Sequence, residues 1–366
     1  MLAKSGYEKN AAGGLLAAGG LGAILSPPVL GAAAFLIAEF LKISYLDVVK
    51  MATIPTVLYY FSLYLMVELD ARKYGMSESA FEAVESAWSL SKRYWYHFLS
   101  LASIIVFMLM GFSPTLSVFW ATVTAFAVSF FQKETALVPR RFVQAMEAGT
   151  TGMLNVAATC ASAGIIVGVV TLTGLGLKFS SIVIDYAGGS LALTALYTAL
   201  IVWIVGLAVP VTASYIICAV IAAPALITLG VPDFAAHMFV FYYALLSEVS
   251  PPTALSCFAA AAITNGDPYK TTLQAWKYTM PAFVVPFFFV LDPLGTGVLL
   301  TLPKGATWFD VAGVLCLIFV AITALAAGLQ GWLFRKTTVL ERALLVAAGT
   351  LVIVPVSSLD AVGIAL

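Results

Sequence analysis

Charge is scarce in this chain. Lysine, arginine, aspartate and glutamate make up 10% of its 366 residues, against about 25% in a soluble domain. Hydrophobic residues make up 62%, and the mean hydropathy is +1.02. A water-soluble globular domain is thereby excluded, and the chain reads as an integral membrane protein. The formal net charge is zero with no basic block, which excludes nucleic acid as a partner. Histidine is almost missing: His97 and His237 lie far apart, with no metal-ligand or catalytic pattern around either. Cys160, Cys218, Cys257 and Cys316 lack any CxxC spacing and read as small core residues, not a disulfide or zinc set. No Walker A sequence occurs, so direct coupling to ATP hydrolysis is not encoded. A polytopic membrane enzyme would need His, Asp or Glu gathered at one membrane depth, and the sequence order offers no such cluster.

What the chain does have is two proline pairs inside apolar tracts. One is Ser26-Pro27-Pro28; the other is Glu248-Val249-Ser250-Pro251-Pro252-Thr253. Two adjacent prolines cannot continue a helix: each lacks an N–H, and the second forces the first out of the α region. Nearby carbonyls then lose their helical partners. Lipid offers no water to replace them, so such backbone must be buried in protein or line a cavity where a ligand or cation completes the bonding. Residues 13–25 and 29–41 are expected to form the arms of a re-entrant hairpin around the first pair, with Gly13, Gly14, Gly19, Gly20 and Gly22 permitting close backbone approach. Residues 234–263 are expected to form a second hairpin.

The remaining tracts follow by length. Residues 51–67 make the first plain span. The charged stretch 71–93 carries an amphipathic helix over 77–88. Residues 94–132 split into two spans at Ser113-Pro114, and 133–147 look amphipathic again. Residues 148–177 form one long span with Asn155, Thr159 and Ser162 on one face. Residues 186–232 are uncharged for two spans, divided by a Gly/Pro break at 206–214 that contains Gly206, Thr212 and Ser214. Spans over 272–291, 311–334 and 343–359 complete the chain. The expectation is an all-α polytopic membrane protein with about nine transmembrane helices and two re-entrant hairpins. It divides into four segments: 1–70, 71–150, 151–295 and 296–366. The positive-inside rule puts the basic groups Arg72/Lys73/Lys92/Arg93, Lys133/Arg140/Arg141 and Arg335/Lys336/Arg342 in the cytoplasm.

The proline units repeat. Tyr45 and Tyr269 each stand 17 residues beyond Pro28 and Pro252, and each unit continues through a lysine into a proline-entered span (Lys50 and Pro55; Lys277 and Pro281). Matching helix breaks in two halves of a membrane protein point to a transporter's binding site at the repeat interface. Only ten residues precede the first apolar tract, whereas several spans precede the second. The reading therefore expects a partner half elsewhere, either the preceding part of a longer permease or a separate polypeptide.

Several motifs, in order, carry a family likeness: residues 168–180 (GVVTLTGLGLKFS), 222–226 (AAPAL), 235–243 (AAHMFVFYY), Ser250-Pro251-Pro252 and Asn265-Gly266-Asp267-Pro268. Together with residues 31–41 (GAAAFLIAEFL), they resemble the large membrane subunit of TRAP transporters, closest to the fused permeases of the TAXI type. The resemblance implies an elevator-type fold and ATP-independent import driven by sodium entry across a bacterial inner membrane. A periplasmic substrate-binding protein would deliver a small organic anion, often a carboxylate, and a small membrane subunit would be a further partner. It also implies sodium ions held by carbonyls and hydroxyls at the breaks: Ser26 at one, Ser250 and Thr253 at the other, with Gly206 and Thr212 facing the second. The sequence departs from the family pattern at Ala208 and Val211, and at residues 20–23 (GLGA), where side-chain oxygens are usual.

The residues support the same candidates on physical grounds. Sodium needs several oxygen ligands, and unwound backbone supplies them without burying a fixed charge. Glu248 is a carboxylate inside a membrane tract, costly and so by default functional, either assisting a cation site or facing a water-filled cavity. Glu39, near Lys42, reads as an interfacial charge. A second class of reading is a non-transporting structural or assembly subunit.

Overall fold

The computed structural model describes residues 2, 6–28, 30–76, 86–133, 135–252 and 254–353. Thr253, and residues 77–85 of the expected amphipathic helix, lie outside the described residues. The first part of the chain forms α1 (Lys9–Leu25), α2 (Ala33–Leu41), α3 (Tyr45–Tyr74), α4 (Ala87–Tyr94), α5 (Phe98–Leu109) and α6 (Pro114–Ser129). The middle forms α7 (Pro139–Thr173), α8 (Leu175–Tyr186), α9 (Leu191–Gly206), α10 (Val211–Ile221), α11 (Ala223–Thr228) and α12 (Asp233–Leu246). The last part forms α13 (Leu255–Thr264), α14 (Pro268–Thr279), α15 (Val285–Leu291), α16 (Trp308–Gln330) and α17 (Val339–Leu351). No β-strand occurs among the described residues, so the protein is all-α, polytopic and membrane-embedded.

The helices begin and end where local chemistry dictates. Ser44, Ser113, Ser190 and Asp267 each accept an orphan N–H of the turn they cap, at α3, α6, α9 and α14. Thr307 with Asp310, and Thr338 with Glu341, close capping boxes on α16 and α17. Gly75, Gly174 and Gly331 end α3, α7 and α16 in the left-handed region that only glycine enters cheaply.

Among the described residues, four stretches are long and apolar enough to cross a bilayer unaided: Tyr45–Tyr74, Pro139–Thr173, Val211–Thr228 and Trp308–Gln330. Of the stretch 133–147, expected to be amphipathic, residues 139–147 are continuous with the following span, as the first turns of α7. Residues 272–291, expected as one span, are divided. Pro281 cannot donate to the ladder, and Met280–Val284 tighten into a 3-10 turn between α14 and α15. Of the polar stripe on α7, Ser162 bonds back to Ala158 O of its own helix, and the Asn155 side chain lies outside the description.

At the centre lies α12, buried on every side from Ala235 to Leu246. It packs against α2, α9, α10, α11 and α15. A helix apolar all round belongs in a core, and this one nucleates the main hydrophobic cluster. By contrast α5, α6 and α7 leave large apolar side chains such as Leu109, Ile165 and Leu172 exposed, as a lipid-facing surface requires. The C-terminus of α16 gathers cations. Lys73 Nζ donates to Gln330 O (2.6 Å), and Arg342 donates to Gly328 O (2.9 Å) and Leu329 O (3.2 Å). These side chains from α3 and α17 satisfy carbonyls that a helix end leaves orphaned, at the negative end of its dipole.

Candidate functional site

Both proline pairs break their helices. α1 stops at Leu25 and α2 starts at Ala33; α12 stops at Leu246, passes through a 3-10 turn at Ser247–Val249, and α13 starts at Leu255. Both Pro-Pro bonds are cis. The repeat is visible beyond the breaks. α2 and α13 each end in a left-handed non-glycine residue, Lys42 and Asn265, and each is followed two residues on by the N-cap of a long element, Ser44 and Asp267. The two tyrosines part company, however. Tyr45 is buried and stacked on Phe35, whereas Tyr269 is exposed.

The arms of each proline unit do not lie along each other as hairpin arms would. α1 runs along α13 and α14, and α2 packs on α3, α10 and α12. The two units are therefore interleaved, the first arm of one against the second arm of the other. The glycines of α1 explain the choice. A Cβ on Gly13 would stand 2.8 Å from Thr271, on Gly14 2.6 Å from Gln274, and on Gly22 2.7 Å from the Tyr60 hydroxyl. The close approach expected between arms is spent on α14 and α3. Side-by-side packing across a short turn is found instead at the 206–214 break, where α9 and α10 lie against each other.

Two breaks come together, and α1 reaches them. α1 touches the Ser247–Val249 turn. A Cβ on Gly206 would meet Ser247 Oγ at 2.5 Å and Ser214 Oγ at 3.2 Å, so the end of α9 and the start of α10 sit directly on the second proline break. The Glu248 carboxylate lies near the Val211 amide, the first of α10 and one of the orphans of a helix start. Gly206, Ser214, Ser247 and Ser250 are buried; Glu248 and Thr212 are half-buried.

Where the broken backbone's hydrogen bonds go decides what the site can hold. At the first break, Gly22 O accepts Ser26 Oγ–H (2.6 Å) and Leu25 O accepts Thr56 Oγ1–H (2.6 Å). Ile24 O accepts Gly31 N–H (2.9 Å), and Pro28 O has only a long contact to Tyr45 OH at 3.4 Å. At the second, Leu246 O accepts Ser250 Oγ–H (2.7 Å), Ala244 O accepts Ser247 Oγ–H (2.7 Å) and Glu248 O accepts Ser256 Oγ–H (2.7 Å). Val249 O has only the Cys257 thiol, at 3.9 Å. Among the described residues, Pro28 O and Val249 O are weakly held carbonyls, one at each break. Ser26 and Ser250 spend their protons on their own turns, yet their oxygen lone pairs remain available to a cation.

Of the sequence candidates, Gly206, Ser214, Glu248 and Ser250 are brought into one neighbourhood. Thr212 stands on the first turn of α10 beside them, and Ser26, Pro27 and Pro28 lie at the end of α1. Pro251 and Pro252 form the turn after Ser250. Sequence reasoning missed Ser247, although its spacing of three from Ser250 puts both hydroxyls on one side of a helical turn. It also missed Thr56, Tyr59 and Tyr60 of α3. Tyr59 OH donates to Ala18 O (2.6 Å), and Ser26 Oγ lies 3.2 Å from Tyr60 OH. Glu39 pairs with Lys42 at an exposed helix end, as an interfacial charge. His237 Nδ1 is bonded to Tyr215 OH (2.8 Å) and faces Phe40, tying α12 to α10. Among the described residues no group of His, Cys, Asp and Glu could hold a metal ion in the manner of a zinc or calcium site.

A family model described as Tripartite ATP-independent periplasmic transporter, DctM component, matches residues 1–293. No curated protein matches the chain.

Proposed function

We propose a function on one premise: the chain belongs to the DctM family, the large permease component of tripartite ATP-independent periplasmic transporters. On that premise it is a sodium-coupled permease subunit of the TAXI type in a bacterial inner membrane. It imports a small organic anion, a carboxylate, handed over by a periplasmic substrate-binding protein, and works with a small membrane subunit. The observation that carries this reading is the meeting of the 206–214 break with the second proline break, with Ser247 against Gly206 and Glu248 near the first amide of α10.

Sodium takes oxygen ligands, and the break offers them: the weakly held Val249 O, the Ser250 and Ser247 hydroxyl oxygens, and Thr212 and Ser214 opposite. Thr253 is a further candidate by its place after the prolines. A corresponding position at the first break is Pro28 O with Ser26. Glu248 supplies the compensating negative charge without entering a fixed ion pair. The amide end of α10, where Glu248 now sits, favours negative charge and suits a substrate carboxylate.

Reconstituted uptake tests the reading. The chain with its membrane partner and binding protein takes up a labelled organic acid from sodium medium, and none when choline replaces sodium. Ser250→Ala with Thr253→Ala raises the half-saturating sodium concentration roughly tenfold, the worth of one lost contact of about 1.4 kcal/mol. Uptake that is indifferent to sodium would refute the coupling; an unchanged sodium requirement in the double variant would remove those two residues as ligands.

A further inference from the structure

Away from the breaks, a small cavity of ≈110 Å³ lies between the N-terminal segment, the end of α3 and α14. Three oxygens on its lining residues, Asp70 Oδ1, Tyr7 OH and Gln274 Oε1, are buried and lack a hydrogen-bond partner among the described residues. Asp70 is 2% exposed and Tyr7 8%. The other carboxylate oxygen of Asp70 accepts the Tyr278 hydroxyl. Leaving a buried carboxylate oxygen without a donor is expensive, and Asp70 Oδ1 and Gln274 Oε1 can only accept.

The charges decide what the cavity takes. Among the described residues its lining holds the buried carboxylate of Asp70, the solvent-exposed Glu8 and one base, Lys277. Lys277 Nζ donates to Gln330 Oε1 (2.9 Å). The other cations nearby, Lys73 and Arg342, are committed to the carbonyls that end α16. That helix end adds further negative potential from its dipole. A small monovalent cation would give these buried oxygens the positive partner they lack, and the volume holds it with about two waters at ~30 Å³ each. A divalent ion would want six or more oxygens and more carboxylate than one buried Asp beside a lysine.

We propose that Asp70 Oδ1, Gln274 Oε1 and Tyr7 OH form a binding site for a small monovalent cation, which pins the N-terminal segment onto α3 and α14. The site is separate from the helix breaks and does not depend on the transport reading.

Thermal unfolding of the purified full chain, in NaCl, KCl or choline chloride at equal ionic strength, tests it. The Ser250→Ala variant serves as background, so that sodium at the breaks contributes least. Sodium or potassium, but not choline, is expected to raise the midpoint saturably. Tyr7→Phe and Gln274→Leu, which each remove one ligand, are expected to raise the half-saturating concentration about tenfold, and Asp70→Asn to abolish saturation. Equal midpoints in all three salts overturn the proposal, as do unchanged titrations in both Tyr7→Phe and Gln274→Leu. Should Asp70→Asn fail to fold, those two milder variants decide. Loss of the effect in Ser250→Ala alone would place the cation at the breaks and overturn this site.

Discussion

Gly206→Ala is the sharpest probe of the junction between breaks. The added Cβ would lie 2.5 Å from Ser247 Oγ and 2.7 Å from Ser247 Cβ. Ordinary carbon contacts are about 3.5–4.0 Å. The hydroxyl could rotate aside, but the Cβ is fixed to the backbone of the turn, so the turn itself must retreat by about 1 Å. Overpacking of this kind costs about 1–3 kcal/mol. The gain in helix propensity, up to about 1 kcal/mol in a helix interior, is smaller here because Gly206 is the last residue of α9. The net loss of about 1–2 kcal/mol lowers the population of the closed junction by roughly 5–30-fold. Thermal unfolding and uptake should both register it. Ser247→Gly in the same chain removes the obstructing atoms. The double variant should recover, with a coupling of about 1 kcal/mol or more between the two positions. Gly20→Ala is the control, since nothing lies within 4 Å of its Cβ. It should match or exceed the native midpoint. A Gly206→Ala protein that melts and transports like the native one, or shows no coupling to Ser247→Gly, would refute the close approach.

Other perturbations follow the same logic. Thr56→Val keeps the shape but strips Leu25 O of its donor inside a broken helix, and should cost about 1–3 kcal/mol in thermal unfolding. Gly14→Ala should be worse than Gly206→Ala, because its Cβ would meet the Ala275 backbone N at 2.7 Å as well as Gln274; separation of α1 from α14 should appear as faster amide exchange in both helices. Gln330→Leu removes the acceptor of Lys277 and the donor to Met66 O (2.9 Å) from a fully buried site, and should lower stability by about 2–3 kcal/mol.

Much of this was legible in the sequence because the strongest signals were local. Proline pairs had to stop helices, and they did. Ser113-Pro114 marked a division between spans, where α6 begins, and the scarcity of charge fixed the environment. The repeat could be read from spacing and reappears as matching left-handed caps at Lys42 and Asn265. What local chemistry cannot specify is the partner. The glycines of α1 announced a close approach, but only the packing shows that α14 and α3 make it. Thr56 lies 31 residues from the carbonyl it satisfies, and Lys73 lies 257 from Gln330. No pattern in either neighbourhood encodes such pairings. Asp70 lies just past the expected span 51–67, and its partner in burial is Tyr278, on a helix far along the chain.

The two proline breaks meet the same backbone debt by different routes, and the difference bears on motion. The first is held by tertiary donors and contacts from α3: Thr56 on Leu25 O, Tyr59 on Ala18 O, Tyr60 beside Ser26 and Tyr45 near Pro28 O. It cannot shift against α3 without stranding carbonyls in a low-dielectric setting, at about 1–3 kcal/mol for each. The second is satisfied within its own segment, by Ser247, Ser250, Ser256 and Cys257. Its bonds travel with it. It meets its surroundings through α1, through Ser247 against Gly206, and through Glu248 near the Val211 amide. The second break, together with the α9–α10 junction, can therefore move as one piece at little hydrogen-bonding cost, while the first stays tied to α3. A ligand that competes with Glu248 for the start of α10 would act where that break meets the α9–α10 junction.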